Sequence, residues 1–265
     1  MNLLLTNDDG IDAEAFLDFA DALRRRTSHA VYVLAPDHNC SGASHALSLL
    51  RSPVRVARRA ENIWTCSGTP ADCVCVGTMG GLPIKPDMVL SGINAGPNIG
   101  TDLIYSGTAA AARQAALAGI PGIAFSLNGV RGAFYWKQAI DYAVAALPEL
   151  HAFWTRDVFI NVNIPNTIEG PGGSCVTFPS IRRYSDSLVA RPDGGGSLSC
   201  MFQGGNSSTE PESGSDWDAV SRNHVSISPV FLHPVVRRDC CAGVPEYAGV
   251  APRPDRRGGT AAGAR

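Results

Sequence analysis

Lysine is nearly missing from this chain: Lys85 and Lys137 are the only two, and arginine supplies the rest of the side-chain positive charge. Basic residues number 22 against 24 acidic ones, so the formal net charge is −2. That balance excludes a global basic field of the kind that steers a protein onto a nucleic-acid polymer or an anionic membrane. Any anion this chain handles must be held locally. Long apolar runs are lacking as well. The longest small-apolar stretch, Ala109 to Phe125, is broken by Arg113, Gln114, Gly119 and Pro121, which excludes a membrane span there. The first residues, Met1-Asn2-Leu3-Leu4-Leu5-Thr6-Asn7-Asp8, have neither a basic start nor an apolar stretch of signal-peptide length, so a cytoplasmic location is expected. Zinc spacing is absent too. Cys40, Cys66, Cys73, Cys75, Cys175, Cys200, Cys240 and Cys241 contain no Cys-x-x-Cys pair, and without a secretory context they are expected to be free thiols packing as small apolar residues.

What is present starts with Asp8 and Asp9. They stand directly behind the apolar run Leu3-Leu4-Leu5-Thr6 and directly before Gly10, at the carboxyl end of an expected buried strand. Two adjacent carboxylates at a partly buried edge repel each other and need a cation or several N–H donors.

With 265 residues and 45% apolar content, the chain suffices for one large domain with a real core. Asn2 to Thr6 reads as a strand. Asp12 stands as an N-cap, Glu14 in the first turn, Phe16, Leu17, Ala20 and Leu23 at helical spacing, and Arg24 to Arg26 in the last turn. Ala30 to Leu34 reads as a second strand, stopped by Pro36. Leu47 to Val56 and Ile63 to Cys66 look extended, a hairpin near a sheet edge. Thr69-Pro70-Ala71-Asp72 opens a helix through about Met79. Met88 to Leu90 is a strand leading into the glycine-rich loop Ser91 to Gly100, followed by a helix from Thr108 to Leu117. Gly122 to Ser126 is a strand, Phe134 to Leu147 a helix, and Phe159 to Asn163 a strand. Strand then helix, repeated, implies an α/β fold with a mostly parallel sheet covered on both faces.

Beyond Pro165 the glycine and serine content rises and helical patterns fade. The expectation is a single α/β domain over 1–238, with a core to about 165 and a β-rich arm and loop over 166–238. Within the arm, Val225 to Phe231 reads as strand and Gly204 to Gly214 as a flexible loop. From Asp239 the chain is rich in Pro, Gly, Ala and Arg, and 239–265 reads as a disordered tail.

In a doubly wound sheet, ligands lie outside the carboxyl ends of the strands. Asp8 and Asp9 follow the first strand, Ser41 lies in the loop after the second, and Asn94 follows the strand at Val89. Together they offer two carboxylates, a hydroxyl and an amide carbonyl. Such hard oxygen donors suit Mg²⁺ or Mn²⁺ rather than Zn²⁺. Ser106, Gly107 and Thr108 immediately precede an alanine-rich helix, where free N–H groups and the dipole hold an anion, and are assigned to a phosphate. Gly92 and Gly96 let the backbone around Asn94 approach that ligand closely. His38 and His45 flank Ser41 and compete for the role of protonating a leaving alkoxide.

Asn7-Asp8-Asp9-Gly10, Ala35-Pro36-Asp37 with Ser41-Gly42-Ala43-Ser44, Gly68-Thr69-Pro70-Ala71-Asp72-Cys73-Val74, Ser91-Gly92-Ile93-Asn94-Ala95-Gly96-Pro97-Asn98, Tyr105-Ser106-Gly107-Thr108 and Asn161-Val162-Asn163 occur in this order. Arg183-Tyr184-Ser185-Asp186 and Val225-Ser226-Ile227-Ser228-Pro229 follow. The set resembles the SurE survival-protein family from Met1 to about Val230. The resemblance implies a Rossmann-like core and a carboxyl-terminal arm exchanged between subunits of a homodimer or homotetramer. It implies a metal-dependent phosphomonoesterase acting on nucleoside monophosphates. Its metal ligands fall on Asp8, Asp9, Ser41 and Asn94. Two departures stand out: Asp12-Ala13-Glu14-Ala15 where the family often has His-Ala-Pro-Gly, and Arg113-Gln114-Ala115 where Arg-Glu-Gly is common. The first puts an extra carboxylate near an expected phosphate, and the second removes a charge.

Phosphate monoesters hydrolyse extremely slowly unaided, so the site must position water and neutralise charge on the transferring group. One divalent ion per subunit supplies both effects, with Asp8, Asp9 and Asn94 as the catalytic set and Asp8 or Asp9 handling the proton. Substrates are expected to be nucleoside 5′-monophosphates, with 3′-monophosphates and short polyphosphate also in range. Three other classes compete. A receiver domain would need a late lysine at a strand end, and neither Lys85 nor Lys137 is placed there. A haloacid-dehalogenase phosphatase would need two aspartates separated by one residue, whereas Asp8 and Asp9 are adjacent. A non-catalytic metal and nucleotide binding protein is made conceivable by Asp12 and Gln114, but retention of all four oxygen ligands speaks for catalysis.

Overall fold

The computed structural model describes residues 1–129 and 132–234, so the expectation of a disordered tail over 239–265 lies outside the described residues. Leu3, Leu4 and Leu5 form the middle of strand β1 (Asn2–Thr6) and are fully buried. A strand apolar on both faces belongs at the centre of a sheet covered on both sides. Leu3 and Leu5 pack with helices α1 (Phe16–Arg26) and α4 (Trp136–Phe153), whereas Leu4 packs with α2 (Pro70–Thr78) and α3 (Gly107–Leu117). Alternating side chains along one strand thus generate three layers.

Eight further strands complete the main sheet: β2 (Ala30–Pro36), β3 (Val56–Ala60), β4 (Ile63–Cys66), β5 (Met88–Ala95), β6 (Gly122–Asn128), β7 (Val158–Pro165), β8 (Ser174–Val176) and, after four strands outside this sheet, β13 (Val225–Phe231). Their order is β3-β4-β2-β1-β5-β6-β7-β13-β8. From β4 to β7 all neighbours are parallel, while β3 and β13 are antiparallel to β4 and β7. The mostly parallel α/β architecture expected from the sequence is therefore present. The strand order reverses at β1, which pairs with β2 on one side and β5 on the other, placing Thr6 beside Ser91. That crevice is where loops from separate βα units converge. Among the described residues no helix is long and apolar enough to cross a membrane.

Several local expectations are corrected. Asp12 does not cap α1: the cap position is Ala15, in the left-handed region at φ 59° with no side-chain cap. The Asn7 side chain donates to the Gly10 carbonyl at 2.8 Å and accepts from its N–H at 3.2 Å, which holds the chain in turns and delays the helix. Asp12 pairs instead with Arg59 at 2.7 Å. Leu47 to Val56 is not a strand, because Asp72 accepts the N–H groups of Ser48 at 3.0 Å and Leu49 at 3.2 Å and anchors a 3-10 turn over Ser48–Leu50. Helix α4 continues through Pro148 to Phe153, since buried Leu147 and Leu150 keep the last turn on the core.

The segment after Pro165 is not set apart from the core. Strand β13 runs beside β7 for six paired residues, so the main sheet includes it. What projects are two small sheets, β9 (Arg182–Tyr184) with β12 (Ser207–Thr209), and β10 (Ser187–Gly194) with β11 (Ser197–Gln203). Part of the expected Gly204 to Gly214 loop is therefore strand β12, and helix α5 (Asp216–Ser221) follows it. All residues of β11 are exposed.

Candidate active site

Strand β1 delivers Asp8 and Asp9 to the crevice, and the first turn of α3 meets them there. The Thr108 N–H donates to Asp8 Oδ2 at 3.1 Å and the Thr108 hydroxyl donates to Oδ1. A helix N-terminus favours a carboxylate through its free N–H groups and its dipole. Gly107 permits the approach: a Cβ at this position would lie 2.8 Å from Asp8 Cβ. Burial raises the Asp8 pKa, hydrogen bonds from Thr108 oppose that, and the charge of Asp9 raises it further. Burial also raises Asp9, against hydrogen bonds from the Ala95 N–H and the Ser41 hydroxyl.

Those two donors tie Asp9 to the other candidate ligands. Ser41 sits in the exposed loop after β2, with its N–H bonded to Asn39 Oδ1 at 2.7 Å. Asn94 lies near the end of β5, which extends past Leu90 and continues beside β6 as Asn94 pairs with Ser126. The Asn94 Nδ2 donates to the Gly96 carbonyl at 2.9 Å, leaving the amide oxygen as its free end. Asp8, Asp9, Ser41 and Asn94 all line one cavity of ≈ 820 Å³. Among its described lining residues there is no lysine, arginine or histidine; Asp186 brings a further carboxylate, while that of Asp102 is paired with Arg182. Among the described residues no Lys, Arg or His pairs with Asp8 or Asp9. Two carboxylates, a hydroxyl and an amide oxygen fit a hard divalent cation, and no trio of His, Cys, Asp or Glu among the described residues offers a softer site.

The residues assigned to phosphate divide. Gly96 and Ser106 line the cavity. Thr108 does not, because the fixed carboxylate of Asp8 takes both of its donors. Gly107 lies under Asp8, and Gly92 packs beneath the site, where a Cβ at its φ of 117° would lie 2.2 Å from the Phe125 carbonyl. His38 pairs with Asp37 at 2.7 Å, and His45 Nε2 bonds Gln114 Oε1 at 2.9 Å. Neither lines the cavity. The departure at Gln114 thus concerns His45, and Asp12 is occupied by Arg59, so neither adds or removes charge in the cavity wall.

Sequence reasoning gave no site role to Asn98, Asp102, Tyr105, Tyr184, Asp186 and Phe202, which also line the cavity. Asn98 is held by a buried amide network. Its N–H donates to Asn163 Oδ1 at 2.8 Å, its Nδ2 to Ser126 Oγ at 2.7 Å, and its carbonyl accepts from Asn161 at 2.9 Å and Asn163 at 3.0 Å. The motifs Ser91 to Asn98, Tyr105 to Thr108 and Arg183 to Asp186 contain four of these positions, Asn98, Tyr105, Tyr184 and Asp186; Asp102 and Phe202 lie outside every motif.

The family model "Survival protein SurE" matches residues 3–186. A protein of Geobacter sulfurreducens named 5′-nucleotidase SurE is 40% identical over 235 residues, covering 88% of this chain and 88% of its own. One of Pelobacter propionicus with the same name is 38% identical over 234 residues, covering 88% and 94%. The crystal structure of the SurE protein from Aquifex aeolicus superposes with a TM-score of 0.77 at 33% identity, covering 92% of this chain and 98% of that one. This chain belongs to the SurE survival-protein family.

Proposed function

We propose that this chain is a 5′-nucleotidase, a metal-dependent phosphomonoesterase that converts nucleoside 5′-monophosphates to nucleoside and phosphate. The observation that supports it most directly is the meeting of Asp8, Asp9, Ser41 and Asn94 at a cavity whose described lining holds carboxylates and no basic side chain. A phosphate dianion is repelled by such a wall until a cation enters it. In this reading Asp8, Asp9, Ser41 and Asn94 hold one Mg²⁺ or Mn²⁺ per subunit. When bound, that ion neutralises charge on the phosphoryl oxygens and makes water acidic enough to attack near neutral pH.

The chain's own groups do the positioning. Thr108 immobilises Asp8, and Gly96 turns the Asn94 amide so that its oxygen is free. Ser106 caps α3 by accepting from the Ala109 N–H at 3.0 Å and keeps its hydroxyl proton for a phosphoryl oxygen. The name 5′-nucleotidase, borne by the relatives, supports the substrate class. Because the proposed ligands address the phosphoryl group, 3′-monophosphates and short polyphosphate are proposed as secondary substrates. The exposed apolar residues Leu188, Leu198 and Met201 on β10 and β11 support a homodimer or homotetramer joined through this arm.

Phosphate release from a panel of nucleoside monophosphates, measured with EDTA, Mg²⁺ and Mn²⁺, tests the proposal. Activity restored by metal and abolished by chelator is expected. Activity that persists in chelator, or none with either metal, rejects it.

A further inference from the structure

A cavity of ≈ 820 Å³ falls in the size range of sites that enclose a whole drug-sized ligand, about 300–1,000 Å³, and exceeds what a phosphoryl group and a cation occupy. Part of its wall comes from the projecting arm. Tyr184 of β9 and Phe202 of β11 line it, next to Asp186, whose Oδ1 accepts from the Gly205 N–H at 2.9 Å. A second carboxylate-bearing wall repels phosphate and accepts from hydroxyls. The Tyr184 ring is fixed from behind: the Arg182 guanidinium carbon lies 5.8 Å from its centroid, and Arg182 is itself anchored by an ion pair with Asp102 and a 2.9 Å bond to Ser207 Oγ. Phe202 is 68% exposed although it borders this cavity. Two aromatic side chains in the lining of the same cavity, one of them beside the Arg182 guanidinium, match the π-face of a heteroaromatic ring.

We infer that Tyr184 and Phe202 form the nucleobase-binding wall of the site and set its preference for nucleotides over other phosphomonoesters, a reading that rests on the proposed phosphomonoesterase function. Stacking is tolerant of base identity, so the wall selects for a base rather than for one base.

The test compares wild type, Tyr184→Ala, Tyr184→Phe and Phe202→Ala on adenosine 5′-monophosphate and glycerol phosphate. Each alanine variant is expected to raise KM for the nucleotide about tenfold with kcat little changed. Tyr184→Phe should recover most of that loss, and KM for glycerol phosphate should move less than about twofold. Equal KM shifts on the two substrates, or none on the nucleotide, would overturn the aromatic wall while leaving the phosphomonoesterase reading intact. Wild-type inactivity on both substrates with Mg²⁺ and Mn²⁺ would remove the underlying function and this inference with it.

Discussion

Thr108 places both its backbone N–H and its hydroxyl on the carboxylate of Asp8, one hundred residues earlier in the chain. This contact fixes the orientation of a proposed metal ligand, and outer partners of that type typically contribute 10–100-fold to metal affinity. Thr108→Val should therefore weaken Mg²⁺ or Mn²⁺ activation about tenfold or more, whereas Thr108→Ser should stay near wild type. Activity titrated against metal concentration reads this out. Equal activation constants for all three proteins would show that Thr108 does not orient Asp8.

Burial first, then the charge of Asp9, raise the Asp8 pKa against the hydrogen bonds from Thr108, so its ionised form is expected to cost stability when no metal is bound. Asp8→Asn keeps an oxygen acceptor for Thr108 but removes the charge. In chelator it should melt higher by about 2–4 °C, the shift expected for roughly 1 kcal/mol in a chain of this size. The same variant should lose phosphate release with every metal. A lower melting point in chelator would contradict the account of buried repulsion.

His45 is held below its ordinary pKa of 6.5 by burial, with the Gln114 hydrogen bond acting upward and the Arg113 charge downward. The unfolded chain therefore binds a proton that the folded chain refuses as pH falls below about 6.5, and stability declines with decreasing pH across that window. Gln114→Glu places a carboxylate against His45 and should raise its pKa, reducing the decline. NMR titration of the His45 ring, with urea melts from pH 7.5 to 5, checks both. An unmoved His45 titration in Gln114→Glu would refute the pairing.

Asn163→Ala removes an acceptor of the Asn98 N–H and a donor to the Asn98 carbonyl inside a fully buried network. The Asn98 carbonyl keeps its bond from Asn161, so the N–H alone is left unpaired, at a cost of about 1–3 kcal/mol. Denaturant unfolding should show a loss of that order, together with a raised KM as the Asn98 wall of the cavity loosens. A variant as stable as wild type would mean that other groups satisfy Asn98.

The exposed side chains of Leu198 and Met201 on β11 make the arm a proposed subunit contact. Light scattering should give a dimer or tetramer for the wild-type protein and a smaller species for Leu198→Glu with Met201→Glu. A wild-type monomer at all concentrations would remove the assembly proposal.

Much of this architecture was legible in the residues. The Thr69 and Asp72 capping box lies within four consecutive positions, and both of its bonds form. The buried run at Leu3 to Leu5 announced a central strand, and Asp8 and Asp9 had to emerge at its carboxyl end. Ser41 and Asn94 were found through the resemblance and through the rule that ligands gather where parallel strands end, and the fold brings them to the same cavity. Asp12, read as a cap from its position alone, failed because Arg59 on a distant strand offered a partner and Asn7 held the local turn.

The amino-acid sequence by itself determined the alternation of strand and helix, the capped start of α2, and the loops that bear oxygen donors, because hydrophobic periodicity and capping act within a few residues. Only the tertiary structure decided that Thr108 bonds Asp8, that His45 faces Gln114 instead of the cavity, and that Tyr184 and Phe202 join the cavity lining. Those outcomes depend on which groups from remote segments come within hydrogen-bonding or van der Waals reach, a choice made by packing of the whole sheet and its two helical layers.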